Sequence, residues 1–275
     1  MTVALRGEGI VADLGGVRIL DGVSVAVEPG AWVSIVGPNG AGKTTLIRVL
    51  SGALRPQAGR IEIGNDDVTK LRARERARRI ALVPQTPVVP IGVTALDYVL
   101  LGRTPHLPFF GSESNDDLEI AHGTLGRLGV GDLAGRDVES CSGGERQRIF
   151  LARALAQQAP ILLLDEPTTA LDIGHQQEVL DLVDGLRAEH GIAVVSTMHD
   201  LTLAGLYADE LVLLGGGRVV ERGPASAVLT EDSLRRHFGA RVSVLPGAHG
   251  PVVVPHRAPA NGAGEAPPAH PIASG

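Results

Sequence analysis

Residues 37–44 read Gly37-Pro38-Asn39-Gly40-Ala41-Gly42-Lys43-Thr44, and few folds can accommodate that pattern. G-x-x-x-x-G-K-[ST] is a phosphate loop when it joins a buried strand to a helix. Both flanks are present. Ala31–Val36 is a short apolar run with strand character, and Leu46, Ile47, Val49 and Leu50 recur at helical spacing from Thr44 onward. The glycines let consecutive N–H groups turn inward as an anion nest, and the helix start adds its positive dipole end. Lys43 can reach the β- and γ-phosphates, and the Thr44 hydroxyl can ligate Mg²⁺.

A second acidic element sits at the end of another apolar run, Ile161–Leu164, as Asp165-Glu166-Pro167. Strands alternating with helices imply a parallel sheet whose ligands gather at the carboxyl ends of the strands. Ile192–Ser196 and Leu211–Leu214 are further strands of this kind, and Gly215-Gly216-Gly217 turns the last of them into Arg218–Val220. Asp165 therefore faces the phosphate loop and can hold Mg²⁺ through water. Glu166 points toward the γ-phosphate as a candidate general base.

Residues 87–154 break this rhythm. Prolines and glycines interrupt them, and helical patterns follow at 116–129 and 145–158, which reads as a helical insertion into the α/β core. From about 246 the composition shifts to Pro, Gly, Ala and His. Val242–Leu245 and Val252–Val254 can pair as a small hairpin, and a tail from about 257 is expected to be disordered. The 275 residues are enough for one large domain. The balance of 25 basic against 31 acidic residues argues against non-specific nucleic-acid binding, and a single cysteine excludes an internal disulfide. The first residues lack the pattern of a secretory signal, and no run approaches the roughly 20 apolar residues of a bilayer span.

The phosphate loop, Gln85 after an apolar strand, Ser142-Gly143-Gly144 before a helix, Asp165-Glu166 and His199 occur in that order. Together they resemble the ATP-binding subunit of ABC transporters over residues 3–255. The resemblance implies a P-loop NTPase, RecA-like parallel-sheet core with an N-terminal antiparallel β subdomain and an inserted helical subdomain. One ATPase domain would span 1–245, with its core at 1–86 and 155–245 and the insertion at about 87–154; 246–275 would be an extension. It also implies Gly37–Thr45 (Thr45 included) as the Walker A loop, Ile161–Asp165 as the Walker B strand and Glu166 as the catalytic carboxylate. Gln85 would contact Mg²⁺ and the attacking water, and His199 would be the switch histidine. Ser142, Gly143 and Gly144 would bind the γ-phosphate of a second copy, and Ala170-Leu171-Asp172 would lie at the dimer seam. ATP and Mg²⁺ are the implied cofactors. The implied partners are a second copy, two membrane-spanning permease subunits at the cytoplasmic face of the membrane and, indirectly, a substrate-binding protein.

Leu101–Leu107, followed by Phe109 and Phe110, is similar to the "GRxPH" stretch of importers for iron-siderophores, haem and cobalamin. It implies a surface docked on the membrane subunits and cargo of that group, with siderophore-iron first. A soluble ABC ATPase acting on nucleic acid or ribosomes is the rival reading, against which stand the single phosphate loop and the short insertion. Three positions depart from the family pattern. Leu14 stands near the usual adenine-stacking aromatic, which predicts affinity lower by about 1 kcal/mol and looser base selection. Cys141 and Glu145 flank Ser-Gly-Gly where Leu and Gln are usual. Cys141 suits an apolar site, with a redox role the alternative, and Glu145 suits the helix dipole.

Overall fold

The computed structural model describes residues 4–108, 111–168 and 171–257. The chain opens with β1 (Leu5–Leu14), β2 (Val17–Val27), β3 (Trp32–Val36), α1 (Lys43–Leu50), β4 (Ala58–Ile63), β5 (Asp66–Asp67), α2 (Ala73–Ala77) and β6 (Ile80–Val83). Three helices follow: α3 (Ala95–Leu100), α4 (Asn115–Arg127) and α5 (Gly143–Ala156). The core then resumes with β7 (Ile161–Asp165), α6 (Ile173–His190), β8 (Ala193–Thr197), α7 (Leu201–Tyr207), β9 (Glu210–Gly215) and β10 (Arg218–Gly223). Helices α8 (Ala225–Val228) and α9 (Glu231–Phe238) lead to a hairpin of β11 (Val242–Gly247) and β12 (Gly250–Pro255).

The first sheet is antiparallel, in the order β2-β1-β4-β5. In β1 and β2 buried positions such as Ile10, Ala12, Val23 and Val25 are interleaved with accessible ones, as a sheet with one solvated face requires. The second sheet runs β10-β9-β3-β8-β7-β6. Its other five strands, β9 to β6, are parallel to one another, and β10 closes one edge antiparallel. Strands β3, β7 and β8 are buried along their whole length because both faces are covered. Their alternating side chains feed two cores. Trp32, Leu162, Leu164 and Val194 pack with the inserted helices through Leu125 and Ile149; Val33, Ile35, Leu163 and Val195 pack with α1 and the first sheet.

The inserted helices are held to one another by buried polar contacts. Arg103 is 6 % exposed; its Nε donates to Asp117 Oδ1 at 2.8 Å, and its Nη1 to the carbonyl of Ala156 (2.8 Å) and Gln158 Oε1 (2.9 Å). His106 Nε2 lies 3.0 Å from the Gln157 carbonyl, and Arg74 and Arg78 donate to the carbonyl of Pro105 at 2.8 Å. Arg103 and His106 thus tie the 101–107 stretch to α4 and the end of α5, the Pro105 carbonyl ties it to α2, and Leu101 and Thr104 face outward. Phe109 and Phe110, anticipated as a docking tip, lie outside the described residues.

A boundary between 245 and 246 falls within β11, so composition places the extension a few residues late. Val242 to Gly247 pair continuously with Pro255 to Gly250. The hairpin sits on α7 and α9: Val253 N donates to Thr202 Oγ1 (3.1 Å) and Val244 N to Glu231 Oε1 (3.1 Å). The tail anticipated beyond about 257 lies outside the described residues. No helix among the described residues is long and apolar enough to cross a membrane.

Candidate nucleotide site

The site forms where β3, β6, β7 and β8 end on one edge of the parallel sheet. Gly37, at the end of β3, has φ 153°, and a Cβ there would stand 2.3 Å from the carbonyl oxygen of Leu214 on β9. Gly42 has φ 101° at the N-cap of α1, where a Cβ would meet Leu20 Cδ2 at 2.7 Å. Both positions therefore require glycine. Pro38 and Ala41 close the turn through Ala41 N to Pro38 O at 3.2 Å. Lys43 Nζ donates to the carbonyls of Gly37 (2.8 Å) and Pro38 (3.3 Å), which lays the ammonium across the loop. Burial pushes the Lys43 pKa down, opposed by the nearby Glu166 and Asp165 carboxylates. Asn39, Gly40, Gly42, Lys43, Thr44, Thr45, Glu166 and Ile19 line a cavity of about 250 Å³ beside it. The apolar wall is Ile19. Leu14 lies at the end of β1, paired with Val17 and 40 % exposed, outside that lining.

Glu166, directly after β7, lines the cavity, and Asp165, the last residue of β7, lies behind it against Thr44. Asp165 Oδ1 accepts from Thr44 Oγ1 (3.2 Å) and from Thr197 Oγ1 (2.8 Å). Burial raises its pKa, partly offset by these two hydroxyls. A hydroxyl and a carboxylate so placed are hard oxygen donors of the kind Mg²⁺ takes, and Thr44 and Asp165 would be the residues to hold it. Among the described residues no cluster of three or more His, Cys, Asp or Glu side chains is placed to hold a metal ion. Glu166 adopts φ 53°, unusual for a residue with a side chain. Its two carboxylate oxygens are gripped separately: Gln85 Nε2 donates to Oε2 and His199 Nε2 lies against Oε1, each at 2.6 Å. The carboxylate is 6 % exposed and the imidazole 42 %.

The remaining sequence-predicted residues form a second group. Ser142 caps α5, with Oγ accepting from Glu145 N at 3.3 Å; Ser142 N donates to Glu145 Oε2 at 2.7 Å. This reciprocal pair is a capping box, and S-x-x-E was its sequence signal. Beyond complementing the dipole, Glu145 closes the box, and these bonds hold its carboxyl below the ordinary range. Gly143 and Gly144 follow in the first turn, and the ring of His175 and Leu171 lie just under 4 Å from where a Gly144 Cβ would be. Asp172 caps α6, its Oδ1 accepting from His175 N at 3.0 Å and lying 2.8 Å from His175 Nδ1. Ala170 lies outside the described residues. Cys141 is buried behind this mouth, and burial raises its thiol pKa, which suits packing and not a reactive thiolate.

Residues 20–169 match the family model described as ABC transporter. The chain belongs to the ABC transporter family. It is 47% identical over 236 residues to the cobalamin import ATP-binding protein BtuD of Halobacterium salinarum, covering 86% of this chain and 59% of that protein. The chain thus spans about three-fifths of the length of that relative. It is 45% identical over 248 residues to the hemin import ATP-binding protein HmuV of Nocardia farcinica, covering 88% of this chain and 85% of that one. Among solved structures, a metal-chelate type ABC transporter in an inward-facing conformation superposes with a TM-score of 0.79 at 29% identity, over 92% of this chain and 96% of the other. The α/β sheet with its helices is therefore the ABC cassette fold.

Proposed function

We propose that this chain is the ATP-hydrolysing subunit of an importer of metal chelates, working as a head-to-tail pair beneath two permease subunits. One observation carries the reading: the residues expected around a nucleotide form two separate clusters on one chain. The phosphate loop, Asp165, Glu166, Gln85 and His199 make one. The capped mouth of α5 and Asp172 make the other. Each is half of a site, and a two-fold pairing of chains would complete both halves at once.

In this reading the loop N–H groups, Lys43, Thr44 and Thr45 bind the phosphates. Thr44, Asp165 and Gln85 are the candidate Mg²⁺ contacts, and the ion when bound would neutralise phosphate charge. Glu166 accepts the proton of the attacking water, while Gln85 and His199 fix its orientation. Ser142, Gly143 and Gly144 supply N–H groups and helix dipole to the γ-phosphate of the opposite copy. Hydrolysis is then tied to closure of the pair, which couples ATP to movement of the membrane subunits.

Glu166→Gln keeps the shape and removes the base. Steady-state phosphate release should fall by about 10²–10⁴-fold with ATP binding retained. Hydrolysis at the wild-type rate would exclude Glu166 as the base. The similarity to cobalamin and hemin import proteins supports a chelated-metal cargo, with siderophore-iron put first and haem and cobalamin beside it. Co-expression with the cognate permease and binding protein, followed by uptake of each radiolabelled chelate, distinguishes them. The substrate-binding protein would act on the far side of the membrane, so the chain would meet it only through the permease. No nucleic-acid partner enters this scheme.

A further inference from the structure

Thr197 is the last residue of β8, fully buried, in register with Asp165 on β7 and Ile35 on β3. Its hydroxyl does two things at once. Oγ1 donates to Asp165 Oδ1 at 2.8 Å and accepts from the backbone N–H of Glu166 at 2.9 Å. A hydroxyl carries one donor and two acceptor positions, so one oxygen can hold both neighbours without conflict.

The second bond falls on a strained peptide. Glu166 has φ 53°, and a non-glycine residue stays in that region only where its surroundings over-determine it. Pro167 follows directly and has no N–H to contribute, and the Thr197 hydroxyl supports the turn from across the sheet. Two residues further along β8's own exit lies His199, whose ring meets the Glu166 carboxylate. The same short segment thus holds Glu166 at its backbone through Thr197 and at its side chain through His199.

We propose that Thr197 is a positioning residue for ATP hydrolysis, locking the Asp165 and Glu166 carboxylates into one fixed geometry. The inference rests on the roles given to those two carboxylates under the proposed function. Ser196 provides a contrast on the same strand. It too is fully buried, but its hydroxyl accepts from Trp32 Nε1 (2.9 Å) and donates to Ser34 Oγ (3.2 Å), all within the core.

The test compares Thr197→Val, Thr197→Ser and Ser196→Ala, with Glu166→Gln as reference, by kcat, by KM and by the affinity for a fluorescent ATP analogue with and without Mg²⁺. Thr197→Val should lower kcat by about 10–100-fold, the usual cost of losing an orienting partner, with analogue affinity in EDTA within about two-fold of wild type. Thr197→Ser keeps the hydroxyl and should restore kcat to within about three-fold of wild type. Ser196→Ala should lower the melting temperature without this kcat loss. If Thr197→Val does not fold, Thr197→Ala replaces it in the same comparison.

Wild-type kcat in the hydroxyl-free variant overturns the proposal, as does a Thr197→Ser variant equally impaired or a parallel collapse of analogue affinity. Glu166→Gln at the wild-type rate overturns the carboxylate assignment and this inference with it. An inactive Glu166→Gln beside a fully active Thr197→Val overturns the inference alone.

Discussion

At the scale of single residues, the function of Ser142 and Glu145 is divided between folding and chemistry. Ser142 spends its side-chain oxygen on the N–H of Glu145, so under the proposed function the backbone N–H groups of the glycine turn would be the anion-facing part. Ser142→Ala should therefore destabilise the chain by about 1 kcal/mol, read as a shift in the denaturant midpoint. Glu145→Gln should shift the midpoint less than Ser142→Ala does, since either side chain closes a capping box and only the carboxylate's interaction with the helix dipole is lost. This was legible in S-x-x-E, whereas the inward path of Lys43 and the two-sided grip on Glu166 were not. Neither a spacing nor a propensity says which carbonyl an ammonium will meet.

At the scale of elements, the insertion is pinned by a buried ion pair that sequence pattern reads as surface. Arg103 and Asp117 are 14 positions apart, and only the packing of the turn at Leu101–Arg103 against α4 and α5 brings them together. Asp117 is held down to a pKa of about 2, first by the Ser114 hydroxyl and then by Arg103. Its folded value lies below the unfolded one, so this stabilisation is present above about pH 4 and fades as pH falls toward 2. Asp117→Asn should be less stable than wild type at neutral pH, and the gap should narrow steadily between pH 4 and 2. Denaturant midpoints measured across that range check it. The same packing explains why the 101–107 stretch could be noticed in sequence but its inward-facing role could not.

For the whole molecule, the hairpin and the two-cluster site set the terms. β12 rests on α7, whose N-cap Asp200 directly follows His199, so the C-terminal strands buttress the loop that carries the histidine. Under the proposed pairing, in which each chain carries two complementary half-sites, specific ATPase activity should rise with protein concentration at low concentration and level off once pairs form. A dilution series from nanomolar to micromolar checks this, and a flat profile would speak against a shared site.

The sequence by itself determined the phosphate loop, the acids at the end of β7 and the strand–helix alternation. Each is a local matter: a glycine turn, an apolar run or a periodicity is written in adjacent residues. Tertiary structure decided what lies across the sheet and across the insertion. Thr197 reaches Asp165, Gln85 and His199 hold Glu166, and Arg103 finds Asp117 only because distant segments are packed edge to edge. Hydrogen-bond partners chosen by register and burial leave no mark at fixed spacing in the chain, and so they had to be seen in three dimensions.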